Sequence, residues 1–174
     1  MKIVLALLFL SAASLAAQDM QSCPMHAQHM KASSQHQADV EQHGDEAMGF
    51  SHAKTTHHFR IYAYGGAIEV TADDSSDTAS IDAIRSHLTN IAAMFSEGNF
   101  SAPTFIHSQV PPGVSIMQKD RATISYTFET QPAGGRVLIK TTDAEAVQAI
   151  HDFLRFQITD HHTDDPAEQP SNSS

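Results

Sequence analysis

Sulfur and nitrogen donors are concentrated in one short stretch near the start of the chain, CPMHAQHM. The stretch holds a thiol, two thioethers and two imidazoles: Cys23, Met25, His26, His29 and Met30. Thiolate and thioether sulfur select Cu(I), whereas imidazole binds copper, zinc and nickel. The composition therefore predicts a site for a copper ion, with zinc as the second choice. The alternative interpretation is a solvated linker rich in His and Gln.

A second, more dispersed set of donors follows in the part of the chain that has the apolar pattern of a folded domain. Its members are His52, His57, His58, His107 and Met117. Because successive side chains of a strand point to opposite faces, His57 is expected to face the helices together with Phe59, and His58 to face away. For each of these residues the alternative is a packing or surface role. Their convergence on one metal site is a hypothesis.

Four other histidines are interpreted as structural. His87 and His151 border the apolar stripes of two predicted helices, where a histidine is usually satisfied by backbone groups. His161 and His162 end the last predicted helix, and they are expected to cap its carbonyl groups as cations. Metal binding is the second interpretation for all four.

The first 17 residues have the pattern of a signal peptide. Lys2 precedes an unbroken apolar run over residues 3–10, and small residues follow at positions 14–17. The run is shorter than the ~20 residues that a membrane-spanning helix needs, so the mature chain is predicted to have no transmembrane segment. An exported protein, periplasmic or secreted, is the expectation. Lipid attachment to Cys23 is an alternative, although Met20, Gln21 and Ser22 stand where a bacterial lipobox has Leu and small residues.

Charge and composition narrow the function classes. The chain has 10 basic and 20 acidic residues and a net charge of −10, which argues against nucleic-acid binding and is compatible with handling cations. With a single Cys, an internal disulfide is excluded. Motifs for nucleotide, covalent haem or zinc-protease chemistry are missing from the sequence, so enzymatic activity is the less favoured expectation.

The chain after the leader divides into three parts. Residues 18–47 are rich in Gln, His, Ala and acids, so alone they are expected to be disordered. Residues 48–162 are predicted to form one α+β domain. Residues 163–174 are polar and are expected to form a disordered tail. The loop that joins the two halves of the domain is expected to be packed, with residues 104–107 as a short edge strand.

The predicted domain is an internal repeat. Two strand-like runs around Gly65-Gly66 are followed by a helical pattern, and the same order recurs around Gly134-Gly135. This ββα-ββα arrangement predicts an antiparallel sheet of about four strands with two helices on one face. Asp77 or Thr78 is expected to cap the first helix, and Asp143 the second. Exposed strand edges leave a homodimer by edge pairing as a further expectation.

Three motifs resemble a family of exported bacterial proteins: MGFSHAKTTHHF, the PPGV that follows APTFIHSQV, and AIHDFLRFQITDH. The resemblance covers most of residues 48–162 and implies an exported single domain, with no established activity. Family members tend to end in DHxTGD, where this chain reads DHHTDD. Separately, Cys-Pro-Met-His resembles the core of small bacterial heavy-metal-binding modules, which usually continue with Pro where this chain has Ala27.

These observations favour an exported metal-binding protein that sequesters or transfers copper. The alternative is a non-catalytic module for a small ligand, haem or a partner protein, with the His-rich segment as a linker. For haem, the candidate axial ligands are His57, His58 and Met48. A metalloenzyme with an open coordination position is the third hypothesis.

Overall fold

The computed structural model describes residues 24–168, with side chains from residue 28 onward. The predicted signal peptide, Cys23 and the side chains of Met25 and His26 therefore lie outside the described residues, as do residues 169–174. The chain divides into two units, Met1–Ser33 and Ser34–Ser174, and the sheet and the helices that pack on it belong to the second. No helix in the described part of the chain is long and apolar enough to cross a membrane.

The predicted α+β architecture with its ββα repeat is confirmed. The strands are β1 (Thr55–Tyr62), β2 (Gly65–Ala72), β3 (Ser125–Gln131) and β4 (Gly134–Lys140), and they form one antiparallel sheet in the order β1-β2-β4-β3. The helices are α1 (Pro24–Met48), α2 (Thr78–Ser96), α3 (Ser101–Ile106), α4 (Val114–Lys119) and α5 (Ala144–Asp160), with short 3₁₀ turns at His52–Lys54 and Arg121–Thr123.

The two repeats are interlocked by their helices. Helix α2 follows the β1-β2 hairpin but lies mainly against β3 and β4, whereas α5 lies against β1 and β2. Phe59, Ile68, Val137 and Phe128 stand side by side in one row across the sheet, on the face that these helices cover. Neither ββα unit could bury this row alone, so the repeats must fold together.

The glycine pairs lie at the start of strands rather than inside the turns. Ala63-Tyr64 and Pro132-Ala133 form the two-residue loops, and the glycine pairs open β2 and β4. A Cβ atom on Gly66 would lie 2.2 Å from Cδ1 of Leu154 and 2.3 Å from the carbonyl oxygen of Arg60. The hairpin prediction is therefore confirmed, but the glycines are required by close packing of strand and helix.

Residues 18–47 were expected to be disordered, but from Pro24 onward they form helix α1. Its second half is held by burial of Val40, which is only 2% exposed, and by hydrogen bonds from Gln35 to Asp39 and from Gln37 to Glu41, one turn apart. Most stability of a helix in a protein comes from such packing rather than from intrinsic propensity. Composition alone therefore could not predict it.

The long connection between the repeats is helical where a strand was expected. The prediction of an edge strand over residues 104–107 is wrong, because α3 covers this segment and Pro103 sits in its first turn, where proline is tolerated. Gly113 then takes a positive φ of 81° against α5, where a Cβ would lie 2.0 Å from the carbonyl oxygen of Ala149. The connection is packed, as predicted.

Part of the tail is also ordered, contrary to the expectation for residues 163–174. The carboxylate of Asp165 is buried: its Oδ2 accepts a hydrogen bond from the backbone N–H of Phe59, and its Oδ1 accepts one from the guanidinium of Arg60. Nδ1 of His58 lies 2.9 Å from the same Oδ1. The tail thus occupies the free edge of β1 at this point, so pairing of two chains there would have to displace it. A homodimer stays a prediction.

Two aspartates cap the major helices as the sequence predicts. Asp77 accepts a hydrogen bond from the backbone N–H of Ser80, and Asp143 from that of Ala146. Replacing Asp143 by Ala should lower the free energy of unfolding by about 1 kcal/mol, the usual cost of losing an N-cap. Urea denaturation would measure it. Asp82→Ala on the exposed side of α2 is the control, and equal losses in both variants would contradict the capping role.

Candidate functional site

A polar groove of about 520 Å³ lies between the second half of α1, strand β1 and the segment after α5. Glu41, His52, Thr163 and Asp164 are among the residues that line it. Met48, His57 and His161 line this groove and also a second, smaller cavity of about 60 Å³. These three side chains therefore belong both to the polar groove and to the largely apolar cavity.

Met48 and His57 form the tightest pair of donors at this boundary. Nε2 of His57 lies 3.3 Å from Sδ of Met48. His57 points toward the helices, as the alternation along β1 predicts, and its ring stacks against Phe50 at 6.2 Å between centroids. Met48 ends α1, so packing of that helix onto the domain brings the thioether to the strand.

His161 completes the cluster from the other end of the chain. It follows α5 directly, and its ring lies parallel to that of His57, with 6.0 Å between centroids and 3° between planes. It also contacts Phe59 at 5.4 Å and His107 at 4.9 Å. The interpretation of His161 as a cationic cap of the helix carbonyls is not supported, because the ring packs against other rings and burial lowers its pKa to about 3.

Burial keeps His57, His87 and His161 neutral. Desolvation lowers the pKa of His57 to about 4, helped by the neighbouring imidazoles of His87 and His52. Burial likewise lowers the pKa of His87 to about 4, and burial with the nearby His107 lowers the pKa of His161 to about 3. At neutral pH each ring therefore has a lone pair on one nitrogen, which is the form that binds a metal.

His87 enters the same cavity from α2. Its ring meets Phe50 edge-on at 5.8 Å, and it lines the cavity with Leu88 and Ile91. Neither His87 nor His161 has a side-chain hydrogen bond to another described residue. Sequence reasoning did not select these two as ligands. The available signal was spacing: His161 continues the stripe of Leu154 and Ile158, which already pointed inward.

His107 is buried nearby but already has partners on both ring nitrogens. Nδ1 is hydrogen-bonded with Asp160, and Nε2 lies 2.9 Å from Oε1 of Gln157. The other carboxylate oxygen of Asp160 lies 2.9 Å from Nε2 of His36 on α1. To bind a metal, His107 would have to lose one of these hydrogen bonds. We therefore assign it a structural role, in which its ring packs against that of His161.

The remaining predicted ligands have other surroundings, although His52 and His58 line the same groove. His52 is on the rim of the groove, where its Nδ1 is 2.9 Å from Asp45, and His58 faces Asp165 on the opposite side of the sheet. Met117 is fully buried in the hydrophobic core. His29 and Met30 are exposed on α1.

No group of three or more His, Cys, Asp or Glu side chains in the described part of the chain is arranged to hold a metal ion. A centre with three side-chain ligands from the described residues would therefore have to include a thioether, and that of Met48 lies 3.3 Å from Nε2 of His57. The trio of Met48, His57 and His161 is the set that the fold brings together, and His87 faces it across the small cavity. We call these three residues the Met-His trio.

Comparison of the chain with protein-family models, curated proteins and solved structures finds no match. The resemblance to exported bacterial proteins therefore stays a prediction. The function has to be argued from the chemistry of the Met-His trio and of the donors near the start of the chain.

Proposed function

We propose that this protein is an exported Cu(I)-binding protein that sequesters or transfers copper, with the Met-His trio as the site in its folded domain. One observation carries the proposal: the thioether of Met48 lies 3.3 Å from Nε2 of the neutral His57, the ring of His161 lies parallel to that of His57, and all three side chains line one groove. The donors of residues 23–30 would capture the ion before it reaches this site.

The spacing of the first two donors suits a shared ion. Metal–nitrogen and metal–sulfur bonds of about 2.0 and 2.3 Å, at a near-tetrahedral angle, place the two donor atoms about 3.5 Å apart. Nε2 of His57 and Sδ of Met48 have a separation of 3.3 Å. The ring of His161 lies parallel to that of His57, with 6.0 Å between centroids, and we expect it to supply the third donor.

The chemistry of the trio favours Cu(I) over a divalent ion. Its three donors are neutral, one is a soft thioether, and no carboxylate belongs to the set. A divalent ion would leave two uncompensated charges next to apolar walls, whereas Cu(I) leaves one, and burial of unpaired charge is costly. Zinc sites use Cys, His, Asp or Glu, and zinc is therefore the second choice here.

The alternative of a haem-binding module is less well supported. His57 and His58 lie on opposite faces of β1, so they cannot both reach one iron. Met48 and His57 are too close to bind iron from opposite sides of a haem, because their donor atoms are 3.3 Å apart.

An anaerobic competition titration with a Cu(I) chelator tests the proposal on the full mature chain. A second protein for comparison, which we call the arm variant, lacks the donors of residues 23–30. In this variant Ser replaces Cys23, Met25, His26, His29 and Met30. The wild-type protein should bind Cu(I) with a Kd well below about 1 μM. The arm variant lacks the donors of residues 23–30, but it should still bind one equivalent of Cu(I) at the Met-His trio.

Two results would contradict the proposal at different levels. If the arm variant binds no equivalent of Cu(I) with a Kd below about 1 μM, the Met-His trio is not a copper site. If the wild-type protein also shows none, copper handling as such is wrong. A parallel titration with zinc decides between the two metals.

A further inference from the structure

The edge of strand β1 that borders the polar groove has backbone groups left for another strand. Because β1 ends the sheet, every second residue points its N–H and C=O away from β2. The hydrogen bond from the N–H of Phe59 to Asp165 shows that the odd-numbered residues point outward. His57 is one of them and lines the groove, and neither its N–H nor its C=O has a hydrogen bond to another described residue.

The tail of the chain shows that this edge accepts hydrogen bonds from a segment outside the sheet. The carboxylate of Asp165 takes the backbone N–H of Phe59, with Arg60 as its second partner. The tail does not use the backbone groups of His57. A second segment can therefore make main-chain hydrogen bonds there, as in recognition of extended peptides by strand addition.

Helix α1 leaves room along the same groove. Gln37, Glu41, Gly44 and Met48 line it at the spacing of one helix face. Glycine inside a helix costs about 1 kcal/mol relative to alanine. A Cβ atom on Gly44 would come no closer than 3.4 Å to a neighbour, the Cε of Met48, so no contact among the described residues requires glycine here. The bare backbone instead allows another chain to approach closely.

Charge selects the kind of segment that fits. Glu41 and Asp164 line the groove, and the ion pairs of described Lys and Arg side chains include neither carboxylate. Arg60, which also lines it, is already paired with Asp165 and Glu69. The remaining negative charge favours a basic partner. A second copy of this chain is disfavoured, because each copy has a net charge of −10.

We infer that the groove binds an extended basic segment of a partner protein, which adds to the free edge of β1 at His57 and places Lys or Arg side chains near Glu41 and Asp164. Main-chain hydrogen bonds supply affinity, and the two carboxylates select for basic side chains. The inference does not depend on copper, and it is tested on the metal-free protein. Its failure therefore leaves the proposed function untouched.

Binding of synthetic heptapeptides to the metal-free mature chain tests the inference. The probe alternates Lys with Val. One comparison peptide has Glu in place of Lys, and the other keeps Lys but has two consecutive central backbone nitrogens methylated, so that one methyl group must lie against β1. By calorimetry the probe should bind at least about 10-fold more tightly than either. Hydrogen exchange of the His57 amide should slow when the probe binds.

Two double variants separate the groove from general charge attraction. Glu41→Gln combined with Asp164→Asn should weaken binding of the Lys peptide about 10-fold. Asp82→Asn combined with Glu97→Gln makes the same change in net charge at exposed positions outside the groove. Its affinity for the probe should stay within about twofold of the wild type, since no contact with the segment is lost.

Each contrary result overturns a stated part of the inference. Absence of binding, or equal binding of the methylated peptide, overturns strand addition to β1. Equal binding of the Glu peptide, or equal losses in the two double variants, overturns selection of a basic segment by Glu41 and Asp164. Light scattering without peptide tests the other occupant: a dimer that the probe dissociates would place a second copy on this edge and overturn the partner protein.

Discussion

Replacing His57 by Gln in the arm variant should weaken Cu(I) binding at least about 100-fold, because loss of an outer-shell partner alone typically costs 10- to 100-fold. The imidazole is expected to supply one of three metal bonds. It has no other polar contact in the described part of the chain than Sδ of Met48, so the substitution breaks no other hydrogen bond. The Kd from chelator competition measures the effect.

The adjacent residue provides the control for this prediction. His58→Gln makes the same chemical change one position along β1, but on the opposite face of the sheet, where the ring meets Asp165. Binding should stay within about twofold of the parent, since no contact with the Met-His trio is lost. Equal losses from both substitutions would mean that the imidazoles act through stability or charge, and the trio would then not be the site.

Acid should destabilise the metal-free domain well before its carboxylates titrate. The folded-state pKa values of His57 and His87 are about 4, below the unfolded value of 6.5. The unfolded chain therefore binds more protons between pH 6.5 and 4, so stability is complete above pH 6.5 and falls as the pH is lowered through this window. For His57 alone the loss by pH 4 is on the order of 3 kcal/mol.

Urea denaturation at several pH values between 7 and 4 would measure this loss. His87→Leu removes one of the buried imidazoles, and the dependence of stability on pH should become less steep. The carboxylates of Asp160 and Asp165 contribute at lower pH, because their pKa values are held below 3.8 by hydrogen bonds that outweigh burial. A stability that does not change between pH 6.5 and 4 would contradict the neutral, buried state of these histidines.

The fold was predictable because its signals are local. Alternation along the strands and the spacing of Ile84, Leu88 and Ile91 each depend on neighbouring residues only, and the second repeat shows the same pattern. Even the facing of His57 followed from strand alternation. Helix α1 was not predictable, because Val40 and the contact of His36 with Asp160 hold its second half through residues distant in sequence.

The site was predictable only in part. His57 was selected from the sequence, but its partners come from the end of α1 and the end of α5, and packing decides that Met48 and His161 meet there. Met117 was selected as a ligand but lies in the hydrophobic core. The sequence around a methionine does not distinguish a metal ligand from a core residue when its neighbours are apolar. The burial of Asp165 was not predictable either, because it depends on a contact between residues distant in sequence. The backbone N–H of Phe59, on the edge strand β1, donates a hydrogen bond to the Asp165 carboxylate in the polar tail.

X-ray absorption spectroscopy of the Cu(I)-loaded arm variant tests the central claim most directly. The variant lacks the sulfur atoms of residues 23–30, and Met20 is the one sulfur that the predicted mature chain keeps ahead of the folded domain. The Met48→Leu substitution therefore decides whether a sulfur neighbour of copper comes from the domain. We predict one sulfur at about 2.3 Å and nitrogen at about 2.0 Å, with the sulfur lost in Met48→Leu and retained in Met117→Leu. Copper surrounded by nitrogen and oxygen alone, or a sulfur that survives Met48→Leu, would contradict a Met-His copper centre in this domain.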